Sequence, residues 1–274
     1  MDPLHQSIFY LFRGLYFYQN NDIDKARINY TIALEQASTY SSELIDGIKG
    51  AIYHNYAFLL ARENKLHQAE DQMNKAITYL KNLNYLNRTI HAENTLSLIY
   101  MNQHQYEKAE IQLYRTLRLV NQIKETKYYS LIYSNIASLS FVQKNYEKCI
   151  KDSLKALEYD DEFNALYYYL GISYYKIGDF EKCRKYYDIL DGIDLSKDEF
   201  TNRYKGLIAL YLDNVNNNVI FKYLRDFYKY SIKYEIVDNQ IDVLNLLIEF
   251  CKENEKYKYL SEYQNILLNH YQNM

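Results

Sequence analysis

Few side chains in this 274-residue chain have the type and spacing for chemistry. Cys149, Cys183 and Cys251 form no CxxC, and as an odd set they cannot all pair. A cysteine nucleophile needs a base to take its proton. No histidine stands at a spacing that identifies one, so Cys149 and Cys183 read as small apolar core residues. His54 and His91 raise the idea of a shared metal. Zinc takes three or four ligands, and no Cys, Asp or Glu shares their helix faces nearby, so polar residues of a binding surface are the better reading. The adjacent Asp160 and Asp161 suit N-capping or solvation. No P-loop, GxGxxG, GxSxG or HExxH occurs. The chain is therefore expected to lack a catalytic site, a metal and a cofactor. Asn55, Asn94 and Asn135 suggest another chemistry: each amide can both donate and accept, as an extended peptide backbone requires.

The elements that would position these residues are helices. The chain has only seven Gly and one Pro (Pro3), with 48% apolar residues. Such composition gives few strand or turn signals and argues against disorder. Thirty-four Tyr and no Trp occur; tyrosine buries its ring while its hydroxyl stays near solvent or a partner. The net charge of −3 offers no footprint for nucleic acid. No apolar run reaches membrane-spanning length and no leader segment is visible, so a cytoplasmic protein without membrane contact is expected.

Internal repetition sets the architecture. Ala26, Ala69, Ala109, Cys149, Cys183, Ile220 and Leu260 recur at intervals of 43, 40, 40, 34, 37 and 40 residues. Twelve residues before them stand Gly14, Ala57, Ser97, Ala137, Gly171, Ile208 and Ile248. Tyr53, Tyr56, Ala57 and Leu60 lie at helical spacing, as do Tyr167, Leu170, Gly171 and Tyr174, and Tyr204, Leu207, Ile208 and Tyr211. Short polar stretches at 20–22, 63–65, 102–105, 143–145 and 176–179 read as turns between paired helices. Such a hairpin cannot bury its apolar stripe alone, so neighbours must stack. The expectation is a single all-α solenoid domain over 1–274. Its seven repeats run over approximately 7–40, 48–83, 88–123, 128–160, 162–194, 199–234 and 238–272.

This pattern resembles the tetratricopeptide repeat. The fifth unit carries it best: Leu170-Gly171, Tyr174, Gly178-Asp179-Phe180, Cys183 in the alanine place, and Tyr187. Units six and seven are degenerate, and the family's Trp and terminal Pro are absent. The resemblance implies a right-handed α-α superhelix whose first helices line a concave, ligand-binding face. Carried onto this chain, that face gives His54, Asn55 and Arg62 in unit two and His91, Asn94 and Asn102 in unit three. Unit four contributes Ser134, Asn135 and Ser138; unit five contributes Tyr168, Tyr169 and Lys176.

Units of roughly 40 residues exceed the usual ~34. With inner-face asparagines and a composition suggesting an AT-rich genome, they resemble the peptide-pheromone receptors of Gram-positive bacteria (the Rap, Rgg, NprR, PlcR and PrgX group). That resemblance implies a quorum-sensing-type transcriptional regulator that holds a short signalling peptide in its groove. The first repeat begins by about Ser7, so DNA contact is expected only through a domain absent from this chain. A scaffold or co-chaperone-like module gripping another protein's carboxyl terminus is the alternative, with Arg62 and Lys176 as its cations. A phosphatase-type modulator ranks third. Large residues at the small positions of units six and seven make that end a candidate cap or homodimer surface. The inner face of unit one, Ile8, Leu11, Phe12, Leu15 and Tyr18, is apolar and reads as a docking surface for a preceding domain.

Overall fold

The computed structural model describes residues 2–160, 164–193, 208–209, 212, 215–233 and 237–272. Among them every regular element is a helix. The chain forms two compact units, Met1–Gln143 and Lys144–Met274. The first contains α1 (Pro3–Gln19), α2 (Ile23–Ser38), α3 (Glu43–Arg62), α4 (Leu66–Asn82), α5 (Leu86–Asn102), α6 (Tyr106–Ile123) and α7 (Thr126–Val142). The second contains α8 (Tyr146–Leu157), α9 (Asn164–Lys176), α10 (Phe180–Gly192), α11 (Asn217–Lys233), α12 (Val237–Glu253) and α13 (Tyr257–Gln272). Tyr204, Leu207 and Tyr211, expected in the sixth repeat's first stripe, lie outside the described residues; Ile208 is described and buried. No helix among the described residues is long and apolar enough to cross a membrane.

Local sequence explains where helices start and stop. Three-residue turns stand at 20–22, 63–65, 103–105, 143–145, 177–179 and 254–256. Each holds one residue in the left-handed region: Asn21, Asn64, His104, Lys144, Gly178 and Glu255. In most of them the next amide reaches back to close the preceding helix. Asp22 N–H donates to Phe17 O, Lys65 to Leu60 O, Gln105 to Tyr100 O and Asp179 to Tyr174 O, all at 2.9 Å. This is the Schellman closure, which satisfies carbonyls the helix end leaves open. The following helix is then capped by side chains: Asp22, Asn145 and Asp179 accept from Lys25, Lys148 and Lys182 amides. α3 begins at Glu43, ahead of the expected repeat start at 48. Ser42 Oγ accepts from the Ile45 amide, and Glu43 and Asp46 sit at the positive helix end.

The recurring small residues hold a fixed register to these turns. Gly14, Ala57, Ser97, Ala137 and Gly171 each stand seven residues before the left-handed residue, and Ala26, Ala69, Ala109, Cys149 and Cys183 stand five after it. All ten are buried. Large side chains fill the space beside them, and in the first unit the next hairpin's first helix closes the core. Leu60 of α3, Met73 and Leu80 of α4, and Leu96 and Ile99 of α5 form one such cluster. The same register gives Ile248 and Leu260 in the last hairpin, where both are only half-buried. Tyr263 is the buried anchor of α13 instead.

Gly14 shows how tight the approach is. A Cβ there would lie 2.5 Å from Cε1 of Tyr30, a fully buried ring. At Gly171 a Cβ would meet only the mobile Cδ1 end of Ile208, at 2.7 Å. Gly14→Ala should therefore lose about 1–3 kcal/mol despite its better helix propensity, and Gly171→Ala should lose less. Urea unfolding of the two variants checks the order, and a Gly171→Ala cost larger than that of Gly14→Ala would contradict it.

Candidate functional site

In the first unit, first helices of successive hairpins pack on one another, α1 on α3 and α5 on α7. Between α1, α3 and the entrance to α5 lies a cleft of about 800 Å³. Its walls are largely apolar: Ile8, Leu11, Phe12 and Leu15 from α1 face Ile48 and Ala51 from α3, with Ile123 also in the lining. Asn55, Asn84, Asn87 and Arg88 supply its polar groups. An apolar pocket with a few amide groups suits an aliphatic side chain whose backbone is hydrogen-bonded at the edge. The apolar face of α1, expected as a docking surface for a preceding domain, is thus one wall of this cleft. Asn84 is left-handed and its turn brings Tyr85 to Arg88 into the lining. Sequence reading missed this turn, although Asn before a helix start is a signal for it.

The structure treats the expected site residues unequally. Asn135 Nδ2 on α7 donates to Asn94 Oδ1 on α5 at 2.7 Å, joining two first helices through their amides. Asn94 is buried and Asn135 half-buried. Asn94 Nδ2 and Asn135 Oδ1 then stand as donor and acceptor beyond that bond. Ser134 is turned onto its own helix, donating to Leu131 O at 2.9 Å, and Ser138 is half-buried. Asn102 is exposed at the end of α5. Arg62 is engaged elsewhere: it donates to Asn21 Oδ1 at 2.5 Å and lies over the Tyr18 ring.

Tyr168, Tyr169 and Lys176 belong to the second unit. Only 5% of Tyr168 is exposed, so its ring is core rather than an open binding face. The half-buried Tyr169 packs against it with centroids 5.5 Å apart. Lys176 is exposed, its ammonium over the Tyr175 ring. Also in this unit, the thiols of Cys149, Cys183 and Cys251 are buried. Burial pushes all three up, Cys183 to about 11, which keeps them protonated near neutrality.

His54 sits edge-on to Phe58, 5.0 Å away, and its Nε2 is buried without a hydrogen-bond partner. Burial, then the positive charge His91 can carry, lower its pKa to about 4, against a small opposing pull from Asn55. His91, facing Tyr128 edge-on, is lowered as well, by burial and then by the Lys127 charge. No set of three metal-ligating side chains occurs among the described residues. The two imidazoles are neutral at pH 7 and offer polar, uncharged contacts.

No known family profile matches the chain, and no curated protein is similar to it in sequence. Solved structures are similar in fold. The apo form of RapI matches over 97% of each chain, with a TM-score of 0.78 and 16% identity. The apo quorum sensor NprR from B. thuringiensis covers 98% of this chain and 77% of its own, with a TM-score of 0.75 at 17% identity. A Rap protein complexed with competence and sporulation factor covers 100% of this chain and 76% of its own, with a TM-score of 0.71 at 17% identity. At such identities the likeness establishes the fold: an all-α, tetratricopeptide-like helical-repeat solenoid, as the small-residue pattern implied.

His54 makes stability depend on pH with a definite sign. Between about 4 and 6.5 the unfolded chain binds the proton and the folded chain does not. Stability therefore rises with pH across that window and is lost as pH falls through it, by up to roughly 3 kcal/mol. In urea titrations at about pH 7 and pH 4.5, His54→Leu should show a smaller pH difference than wild type; an unchanged difference would remove His54 as its source.

Proposed function

We propose that the face formed by α1, α3, α5 and α7 binds a short extended signalling peptide, and that the chain is the cytoplasmic sensory part of a quorum-sensing-type transcriptional regulator. The observation that carries this reading is an apolar cleft of about 800 Å³ edged by Asn55, together with the paired amides of Asn94 and Asn135 on the first helices α5 and α7. An aliphatic peptide side chain fits between α1 and α3, where Asn55 offers its amide to the backbone. Further along the face, Asn94 Nδ2 and Asn135 Oδ1 supply one donor and one acceptor, the complement of a peptide unit. His54 and His91 add neutral polar contacts, and Asn102 and Ser138 extend the polar surface.

The solved Rap complex with competence and sporulation factor supports this reading by its fold, as does the quorum sensor NprR. The scaffold alternative needs a pair of free cations for a carboxylate, and Arg62 is already committed to Asn21 and Tyr18. In the regulator reading, peptide binding ties neighbouring hairpins together, and because each hairpin touches only its neighbours the change passes along the repeat. The output reaches DNA through a separate domain or is read by a homodimer.

Native co-purification with mass spectrometry, followed by calorimetry with the recovered peptide, tests the site. The Asn94→Ala/Asn135→Ala double variant removes two hydrogen bonds of roughly 0.5–1.5 kcal/mol each and should weaken binding about tenfold or more. Ala51→Trp, which fills the cleft, should weaken it further. Wild-type affinity in both variants would sink this assignment, and recovery of a folded protein in place of a peptide would favour the scaffold.

A further inference from the structure

A second, polar cavity of about 320 Å³ opens between α4, α5 and α6. Its lining includes Asn74 and Lys81 from α4, Glu93 from α5, and Gln112 and Arg115 from α6. Glu93 is fully buried, 0% exposed. Lys81 Nζ lies 2.5 Å from its Oε1, and Arg115 Nε lies 3.6 Å from the same oxygen. The Thr116 hydroxyl stands 3.5 Å from Oε2.

Two features are surplus to a structural ion pair. One buried carboxylate is balanced by one cation, yet two converge here, leaving one positive charge over. Gln112 is only 7% exposed, and its Nε2 has no hydrogen-bond partner. An amide donor buried unpaired costs about 1–3 kcal/mol, unless an acceptor occupies the space it faces. Arg115 meets Glu93 through Nε, so the two terminal nitrogens of its planar fork remain for a bidentate acceptor.

We infer that this cavity is a binding site for a small oxyanion, separate from the peptide face. Glu93 acts as a positioning residue that draws the ends of Lys81 and Arg115 to one place. The oxyanion accepts from the Arg115 fork, from Lys81 and from Gln112 Nε2. The cavity stands at the small end of the ~300–1,000 Å³ range of ligand pockets. A single surplus charge suits phosphate or a simple carboxylate rather than a polyanion. Ile77 and Leu96 in the lining give a carboxylate's aliphatic part an apolar wall.

Calorimetry on the full chain at pH 7 and constant ionic strength tests the assignment, with sodium phosphate, sodium acetate and sodium chloride as separate titrants. Saturable binding of phosphate or acetate, and none of chloride, is expected. Arg115→Met and Gln112→Met should each weaken it about tenfold or more; Arg115 is largely exposed, so its variant keeps the fold. Phosphate alone binding names a phosphate site and acetate alone a carboxylate site. No saturable binding of either, or affinity undiminished in either variant, overturns the proposal. Binding should persist in Asn94→Ala/Asn135→Ala, and its loss there would overturn the separation from the peptide face.

Discussion

How closely two helices of a hairpin can approach is the constraint on which the first unit's architecture rests. The turn fixes the register, and the small residues seven before and five after its left-handed position decide the distance. Where these are Gly and Ala, as at Gly14 and Ala26, a buried ring such as Tyr30 closes directly over the facing backbone. Dispersion contacts at that range are individually small but numerous, and a single added methyl displaces many at once. The same contact uses one side of each first helix, and the other side of α3, α5 and α7 carries the amides of Asn55, Asn94 and Asn135. Binding residues can vary there without disturbing the stack, which is why solenoid faces are used for recognition.

Polar groups inside the helices obey a different rule. Ser97 and Thr116 are buried, yet their hydroxyls donate to helix carbonyls at 2.6 and 2.8 Å, so little is lost by burying them. Glu93 has no such local outlet. Removing a carboxylate from water costs several kcal/mol, which only well-placed partners offset. Lys81 from α4 is the close partner that makes the charge tolerable, and Arg115 from α6 adds a second cation beside it. Deleting Glu93 would release two cations toward each other, whereas deleting Arg115 leaves the Lys81 pair intact.

Much of this was legible in the chain itself. The turns at 20–22, 63–65 and 143–145 are visible because Asn and Asp there suit left-handed and capping positions. The spacing of Ala26, Ala69 and Ala109 survives because backbone proximity admits few substitutes. Other features were not readable, since they depend on partners distant in sequence. Arg62 pairs with Asn21, 41 residues away, and Asn94 with Asn135, also 41 residues away. Helical phase placed Tyr168 on an open face, but neighbouring elements cover it. The apolar face of α1 stood out in the sequence, but not the cleft it lines, because the facing walls come from α3 and an inter-hairpin turn. Glu93 looks like any helix carboxylate until its burial is known.

Helix α5 joins these features. Asn94 reaches α7 through Asn135, while the preceding residue, Glu93, reaches α4 and α6 through Lys81 and Arg115. Successive residues on a helix point about 100° apart, so one turn of α5 presents a face to each set of neighbours. Rotating or sliding α5 to suit one contact moves the other by a comparable amount, because the packed helix is stiff. Two ligands that meet α5 from its two sides are therefore coupled only when both prefer one position of the helix. That coupling is reciprocal: whatever factor the first applies to the second's affinity, the second applies to the first. A ligand indifferent to the position of α5 would shift nothing, however tightly it bound.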